Sequence, residues 1–178
     1  AGIAPIAETA VANRVDGLHT VYVVPTRALA NDLLFRMQGP LAEMGIKTAI
    51  KHGDTHLLES SSPNFLITTP ESVDSLLCRR PELFDSLRTV VLDEIHLIDS
   101  TPRGDQARIL LNRLRRQRAP QDLLVHLISA TVSDPAAVAA RYSPQATIVK
   151  VEGRRKIDLA ICSSDEEFIK YAKRNQRK

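Results

Sequence analysis

The stretch Thr89-Val90-Val91-Leu92-Asp93-Glu94-Ile95-His96 decides how this chain reads. Four apolar or β-branched residues predict a short buried strand, and the strand stops on two adjacent acids. A carboxylate costs free energy wherever it is not solvated, paired or bound to metal, so two in a row at a strand end are unusual. That placement suits a nucleotide-hydrolysing α/β domain. There Asp93 can hold the water shell of Mg²⁺, and Glu94 can orient or deprotonate an attacking water. The bland reading is a strand end capped by solvated acids that open a helix.

Working outward, short β-branched runs alternate with helical patterns, the mark of βαβ units and a parallel sheet. Strands are predicted at Thr20–Val24, Lys47–Lys51, Phe65–Thr68, Thr89–Leu92, Leu124–Ser129 and Thr147–Val151, with a weaker one at Ile157–Cys162. Leu29, Leu33 and Met37 repeat at helical spacing until Gly39-Pro40 breaks the pattern. Ala107, Leu110, Leu111 and Leu114 form a clearer stripe, the core face of a helix. Ala4–Val15 and Pro135–Arg141 read as further helices.

With 178 residues, the chain is long enough for one sizeable core and too short for two ordinary domains. An apolar content of 43% and a charged content of 25% describe a soluble globular protein, and no apolar run approaches a membrane span. Cys78 and Cys162 form no CxxC pair and read as reduced, mostly buried thiols of a cytoplasmic protein. The net charge of +3 belongs to the end of the chain. Lys170, Lys173, Arg174, Arg177 and Lys178 lie in a stretch without acids, and the remainder is net negative. That tail reads as a solvated linker able to touch phosphates. Arg113, Arg115, Arg116 and Arg118 form a second basic cluster with the look of a solvent-facing helix surface.

In a parallel sheet, ligands bind beyond the carboxyl ends of the strands. Four predicted strands hand over there to small hydroxyl, acidic or basic groups. The handovers are Pro25-Thr26-Arg27-Ala28-Leu29-Ala30, Thr69-Pro70-Glu71-Ser72, Asp93-Glu94-Ile95-His96 and Ser129-Ala130-Thr131. In this order they resemble motifs Ia, Ib, II and III of superfamily 2 helicases. Asp93–Asp99 followed by Arg103-Gly104, Ser129–Pro135 and Val151–Ile157 most resemble the Lhr-like (large helicase-related) DExH group.

The resemblance implies an α/β, RecA-like three-layer sandwich, a mostly parallel sheet with helices on both faces. It places the first RecA-like domain at residues 1–160 and a basic linker at 161–178. The function implied is that of a motor using ATP and Mg²⁺ to move along DNA or RNA, single-stranded or duplex, with a second RecA-like domain in the same parent chain. By the same resemblance, Asp93 positions Mg²⁺ through water and Glu94 acts on the attacking water. His96 faces Ser129 and Thr131 and couples nucleotide state to strand movement.

On the nucleic-acid side, Arg27 can make a charge-assisted contact to a phosphate and Thr26 can supply a hydroxyl. Thr69-Pro70 reads as a cap and first helical residue, so the free amides of that helix start can receive another phosphate. Plain capping is the alternative. Gly53-Asp54-Thr55 resembles the family's glycine-containing phosphate-contact loop. Such contacts address the backbone, so binding is expected to ignore base sequence and to weaken steeply with salt. His52 and His56 stand at i, i+4, but Gly53 and Asp54 between them mark a turn, so no zinc helix is read there.

The phosphate loop G-x-x-x-x-G-K-[ST] does not occur in these residues. Gly2 to Thr9 fits its frame, but Ala7 and Glu8 stand where Gly and Lys are needed, and Glu8 would repel a triphosphate. The expectation is that the chain begins just after that loop. This stretch alone is then expected to bind ATP weakly and to unwind nothing. Two other readings stay open at this stage: a catalytically inactive RecA-like scaffold for nucleic acid or protein partners, and a metal-dependent hydrolase. The hydrolase leaves three of the four motifs unexplained.

Overall fold

In the computed structural model, residues 4–12, 16–53, 62–117 and 123–150 are described. In chain order they form α1 (Ala4–Ala12), β1 (Thr20–Val23), α2 (Arg27–Glu43), β2 (Thr48–Lys51), β3 (Phe65–Thr68), α3 (Pro70–Arg79), β4 (Thr89–Leu92), α4 (Pro102–Gln117), β5 (Leu124–Leu127) and α5 (Pro135–Tyr142). Short 3₁₀ turns lie at Pro81–Phe84 and Ile95–Leu97. Contacts divide the chain into Ala1–Ile148 and Val149–Lys178, and almost all of the second unit lies outside the described residues.

The five strands form one sheet in the order β2-β3-β1-β4-β5, and every pair is parallel. The three central strands are buried throughout, which is why they read as unbroken apolar runs rather than alternating ones. Their two-residue period still sorts side chains between two cores. Val21, Val23, Leu66, Val90 and Leu92 pack with Leu76 and Leu77 of α3 and Leu110, Leu111 and Leu114 of α4. Tyr22, Phe65, Ile67 and Val91 pack on the other face with Ile6 of α1 and with Ala30, Leu33 and Leu41 of α2. The three-layer α/β architecture expected from the sequence is therefore present. A void of about 10 Å³ beneath α3 and α4, walled by side chains such as Val73 and Leu111, is apolar and holds no chemistry.

Three expectations need correcting. Gly39-Pro40 does not end α2, which runs on to Glu43 with Pro40 inside it. The ring's clash falls on a preceding glycine that has no Cβ, and exposure leaves the unpaired carbonyl to water. Buried Leu41 and Ile46 then anchor the last turn. Residues 147–150 form no strand; all four are exposed, and β-branched residues without a ladder partner among the described residues gain nothing from extension. The strand considered at Ile157–Cys162 lies outside the described residues. Cys78 is exposed rather than buried, with its sulfur 3.6 Å from Arg113 Nη2. Cys162 is also outside the described residues.

Candidate active site

Because all strands are parallel, their carboxyl ends share one edge, where the order Gly53, Thr69, Thr26, Asp93, Ser129 follows the strand order. After β1 the chain turns toward β2, and after β4 it turns toward β5. The crevice between β1 and β4 is thus the switch point at which such sheets bind ligands.

Asp93 sits in that crevice. Its N–H donates to Val23 O at 2.9 Å, extending the β1–β4 ladder one residue beyond the strand. Its side chain continues the alternation of Val91 and shares a face with Tyr22. The Tyr22 hydroxyl donates to Asp93 Oδ2 at 2.8 Å, and the Glu94 N–H donates to Oδ1 at 2.8 Å. Tyr22 is buried, with its ring stacked on Phe65 at 6.0 Å between centroids. Burial and the bond to Asp93 push its hydroxyl well above the usual phenol range, so it stays a neutral donor. The carboxylate is therefore aimed before any ligand arrives.

Glu94 has φ 49° and ψ 43°, the one left-handed non-glycine among the described residues. Non-glycine residues pay for this conformation, and strain of that kind concentrates at functional positions. The turn lets Ile95 N–H donate to Ile128 O at 3.0 Å, which ties the exit of β4 to the exit of β5. It also brings His96 Nδ1 within 3.0 Å of Ser129 Oγ and 3.4 Å of Glu94 Oε2. Ser129 Oγ donates to Thr131 O at 3.3 Å. Since that carbonyl can only accept, the Ser129 oxygen is left to accept from His96 Nδ1–H. Asp93, Glu94, His96, Ser129 and Thr131 thus form one connected group.

The second group lies across β1 and β2. Thr26 caps α2, its hydroxyl accepting from Leu29 N at 3.3 Å. Arg27 is exposed, and its guanidinium lies against Gly53, where an added Cβ would stand 2.6 Å from Nη2. Gly53 has φ 49°, so glycine suits both the turn and the close approach. Asp54, Thr55 and His56 lie outside the described residues. At the end of β3, Thr69 and Pro70 are buried, and Thr69 Oγ1 donates to Ser72 Oγ at 3.4 Å. These two residues offer a helix start rather than exposed side chains. No cluster of three or more His, Cys, Asp or Glu able to hold a metal exists among the described residues.

Three contributors escaped the sequence reading. Tyr22 lies within the strand predicted at Thr20–Val24, and only the register pairing it with Val91 brings its hydroxyl to Asp93. Asp99 is buried between Arg141 Nε at 3.1 Å and Arg108 Nη1 at 3.6 Å, fastening the segment after β4 to α4 and α5. The hydrogen bond from Arg141 holds its carboxyl below the usual range. Arg103 Nη1 donates to Pro25 O at 3.0 Å while its Nε pairs with Glu71 Oε1 at 2.8 Å.

The all-parallel five-stranded sheet with helices packed on both faces is that of RecA-like helicase domains. The model of the DEAD/DEAH box helicase family matches residues 1–138, and the chain belongs to that family. It is 34% identical over 124 residues to the ATP-dependent DNA helicase Hel308 of Methanococcus vannielii, covering 69% of this chain and 16% of the relative. To the Lhr helicase/probable uracil glycosylase of Mycolicibacterium smegmatis it is 32% identical over 165 residues, covering 82% and 11%. The structure of Mycobacterium smegmatis helicase Lhr bound to ssDNA and AMP-PNP superposes with a TM-score of 0.73 at 28% identity, over 95% of this chain and 26% of that one. The chain thus spans only a small part of these relatives. No helix among the described residues is long and apolar enough to cross a membrane.

Proposed function

We propose that this chain is the first RecA-like domain of an ATP-dependent helicase or translocase, in which nucleotide hydrolysis drives movement along DNA or RNA. The observation that carries the proposal is the connected group at the β4 and β5 ends: Asp93 aimed by Tyr22, Glu94 in a strained turn, and His96 bonded to Ser129. Similarity to an Lhr helicase solved with ssDNA and AMP-PNP supports it.

Mg²⁺ takes oxygen ligands and keeps several waters, and the half-buried, doubly hydrogen-bonded Asp93 carboxylate fits that demand. Asp93 would hold the ion through water, and the ion would neutralise charge on the nucleotide phosphates. Glu94, beside it and partly open to solvent, orients the attacking water and takes its proton. His96 senses that side of the site and passes its position to Ser129 and Thr131. The phosphates need a glycine-rich cradle with a lysine, which these 178 residues do not contain. We assign it, together with a second RecA-like domain, to the rest of the parent protein.

Thr26 and Arg27, with Gly53 beneath the guanidinium, and the α3 start at Thr69-Pro70 form the track for a nucleic-acid backbone. The test is equilibrium binding of a single-stranded oligonucleotide by the parent protein over a salt series. Arg27→Ala is expected to weaken binding and lower the salt slope by about one phosphate contact. An unchanged slope would assign Arg27 to structure.

A further inference from the structure

From the chain that leaves the third strand-end segment, Arg103 reaches two others. It is the second residue of α4, on the chain leaving the Asp93-Glu94 segment. Its Nη1 donates to the carbonyl of Pro25, the residue leading into Thr26-Arg27, at 3.0 Å. Its Nε holds Glu71 of the first turn of α3 at 2.8 Å. The backbone under it is fixed from below. Gly104 packs so closely on the segment after β4 that an added Cβ would lie 2.5 Å from the carbonyl oxygens of both Ile98 and Asp99. Ile98 and Asp99 therefore have no room to close on the start of α4 without moving Gly104 and its neighbour Arg103.

Two arguments set this bridge apart from a stabilising ion pair. Both side chains are about half exposed, at 51% and 47%, and pairs in that setting contribute little to stability. Glu71 also lies in the first turn of the helix whose start is proposed to receive a phosphate, where an unpaired carboxylate would repel it. A planar guanidinium can serve a carbonyl and a carboxylate in fixed directions at once; a lysine cannot do this with the same geometry.

Building on the function proposed above, we infer that Arg103 is the positioning residue that couples the nucleotide site to the nucleic-acid grip. It sets the Thr26-Arg27 turn and the α3 start relative to the Asp93-Glu94 segment, and it neutralises Glu71. Arg103 touches neither nucleotide nor nucleic acid in this role.

The test uses the full-length parent protein and a fluorescent single-stranded oligonucleotide, titrated with and without a non-hydrolysable ATP analogue. Basal ATP hydrolysis and thermal unfolding are measured alongside. In the wild type the analogue changes oligonucleotide affinity by a factor of roughly five or more. Arg103→Ala is expected to bring that factor close to one while basal hydrolysis and melting temperature stay near wild type. The exchange Arg103→Glu with Glu71→Arg restores the ion pair but not the bond to Pro25 O, and is expected to remain uncoupled. A wild-type factor in Arg103→Ala, or full recovery in the exchange, would overturn the inference. A fall in basal hydrolysis and melting temperature together would make Arg103 structural and overturn it as well. A wild-type parent that binds no oligonucleotide would instead remove the functional reading on which the inference rests.

Discussion

Gly104→Ala should destabilise this protein, although the same change in most helices does the opposite. Gly104 lies in the first turn of α4, and replacing a helical glycine by alanine ordinarily gains up to about 1 kcal/mol. Here the new Cβ would meet Ile98 O and Asp99 O at 2.5 Å and Asp99 C at 2.9 Å, all backbone atoms that no rotamer change can move. Restoring ordinary contact requires a shift of roughly 1 Å. The helix resists it: Gly104 N–H donates to Thr101 O at 2.9 Å, and Ala107, Leu110 and Leu111 are buried against the sheet. Overpacking of this kind costs about 1–3 kcal/mol, which outweighs the gain in propensity. A net loss of about 1–2 kcal/mol corresponds to a melting temperature lower by roughly 3–6 °C in a chain of this size. Thermal and urea unfolding of Gly104→Ala beside wild type measures it. An unchanged or raised melting temperature would show that α4 is free to slide on the 98–99 peptide and that this contact transmits no displacement.

Tyr22→Phe keeps the ring stacked on Phe65 and removes only the bond to Asp93 Oδ2. Water reaches the half-buried carboxylate, so the stability loss should be about 1 kcal/mol, while hydrolysis by the parent falls about tenfold because Asp93 is no longer aimed. Full turnover would return Tyr22 to a packing role. Burial, with Arg88 adding to it, lowers the pKa of His19 from 6.5. The unfolded chain then takes up its proton first, so this contribution to stability is complete above about pH 6.5 and is lost as pH falls through the lower folded-state value. Melting temperatures between pH 7.5 and 5 should decline, with a shallower slope in His19→Leu; parallel slopes would exclude His19 as a source.

The strands and their order of handover were legible because a parallel sheet buries its central strands on both faces, and Thr20–Val23, Phe65–Thr68 and Thr89–Leu92 carry that in composition alone. The meeting of His96 with Ser129 was legible through the family resemblance, which placed them on neighbouring strand ends. What local sequence could not show is set by register and reach. Tyr22 is a core residue in any one-dimensional pattern, and its hydroxyl finds Asp93 only when β1 and β4 are paired. Arg103 and Asp99 act across more than 40 residues of sequence, Arg103 at Pro25 O and Asp99 at Arg141. The run at 147–150 misled for the converse reason: β propensity describes fit to a pleated surface, and these exposed residues pair with no strand among the described residues.

Asp93 and Glu94 are proposed to drive nucleotide hydrolysis coupled to nucleic acid. Steady-state ATP hydrolysis by the full-length parent protein, with and without single-stranded DNA or RNA and with Glu94→Gln alongside, tests it most directly. Turnover stimulated by nucleic acid and abolished in Glu94→Gln, with ATP binding retained, is the expected result. Nucleic-acid binding without turnover, or turnover undiminished in Glu94→Gln, would contradict it and leave the domain a scaffold in the first case and Glu94 without its role in the second.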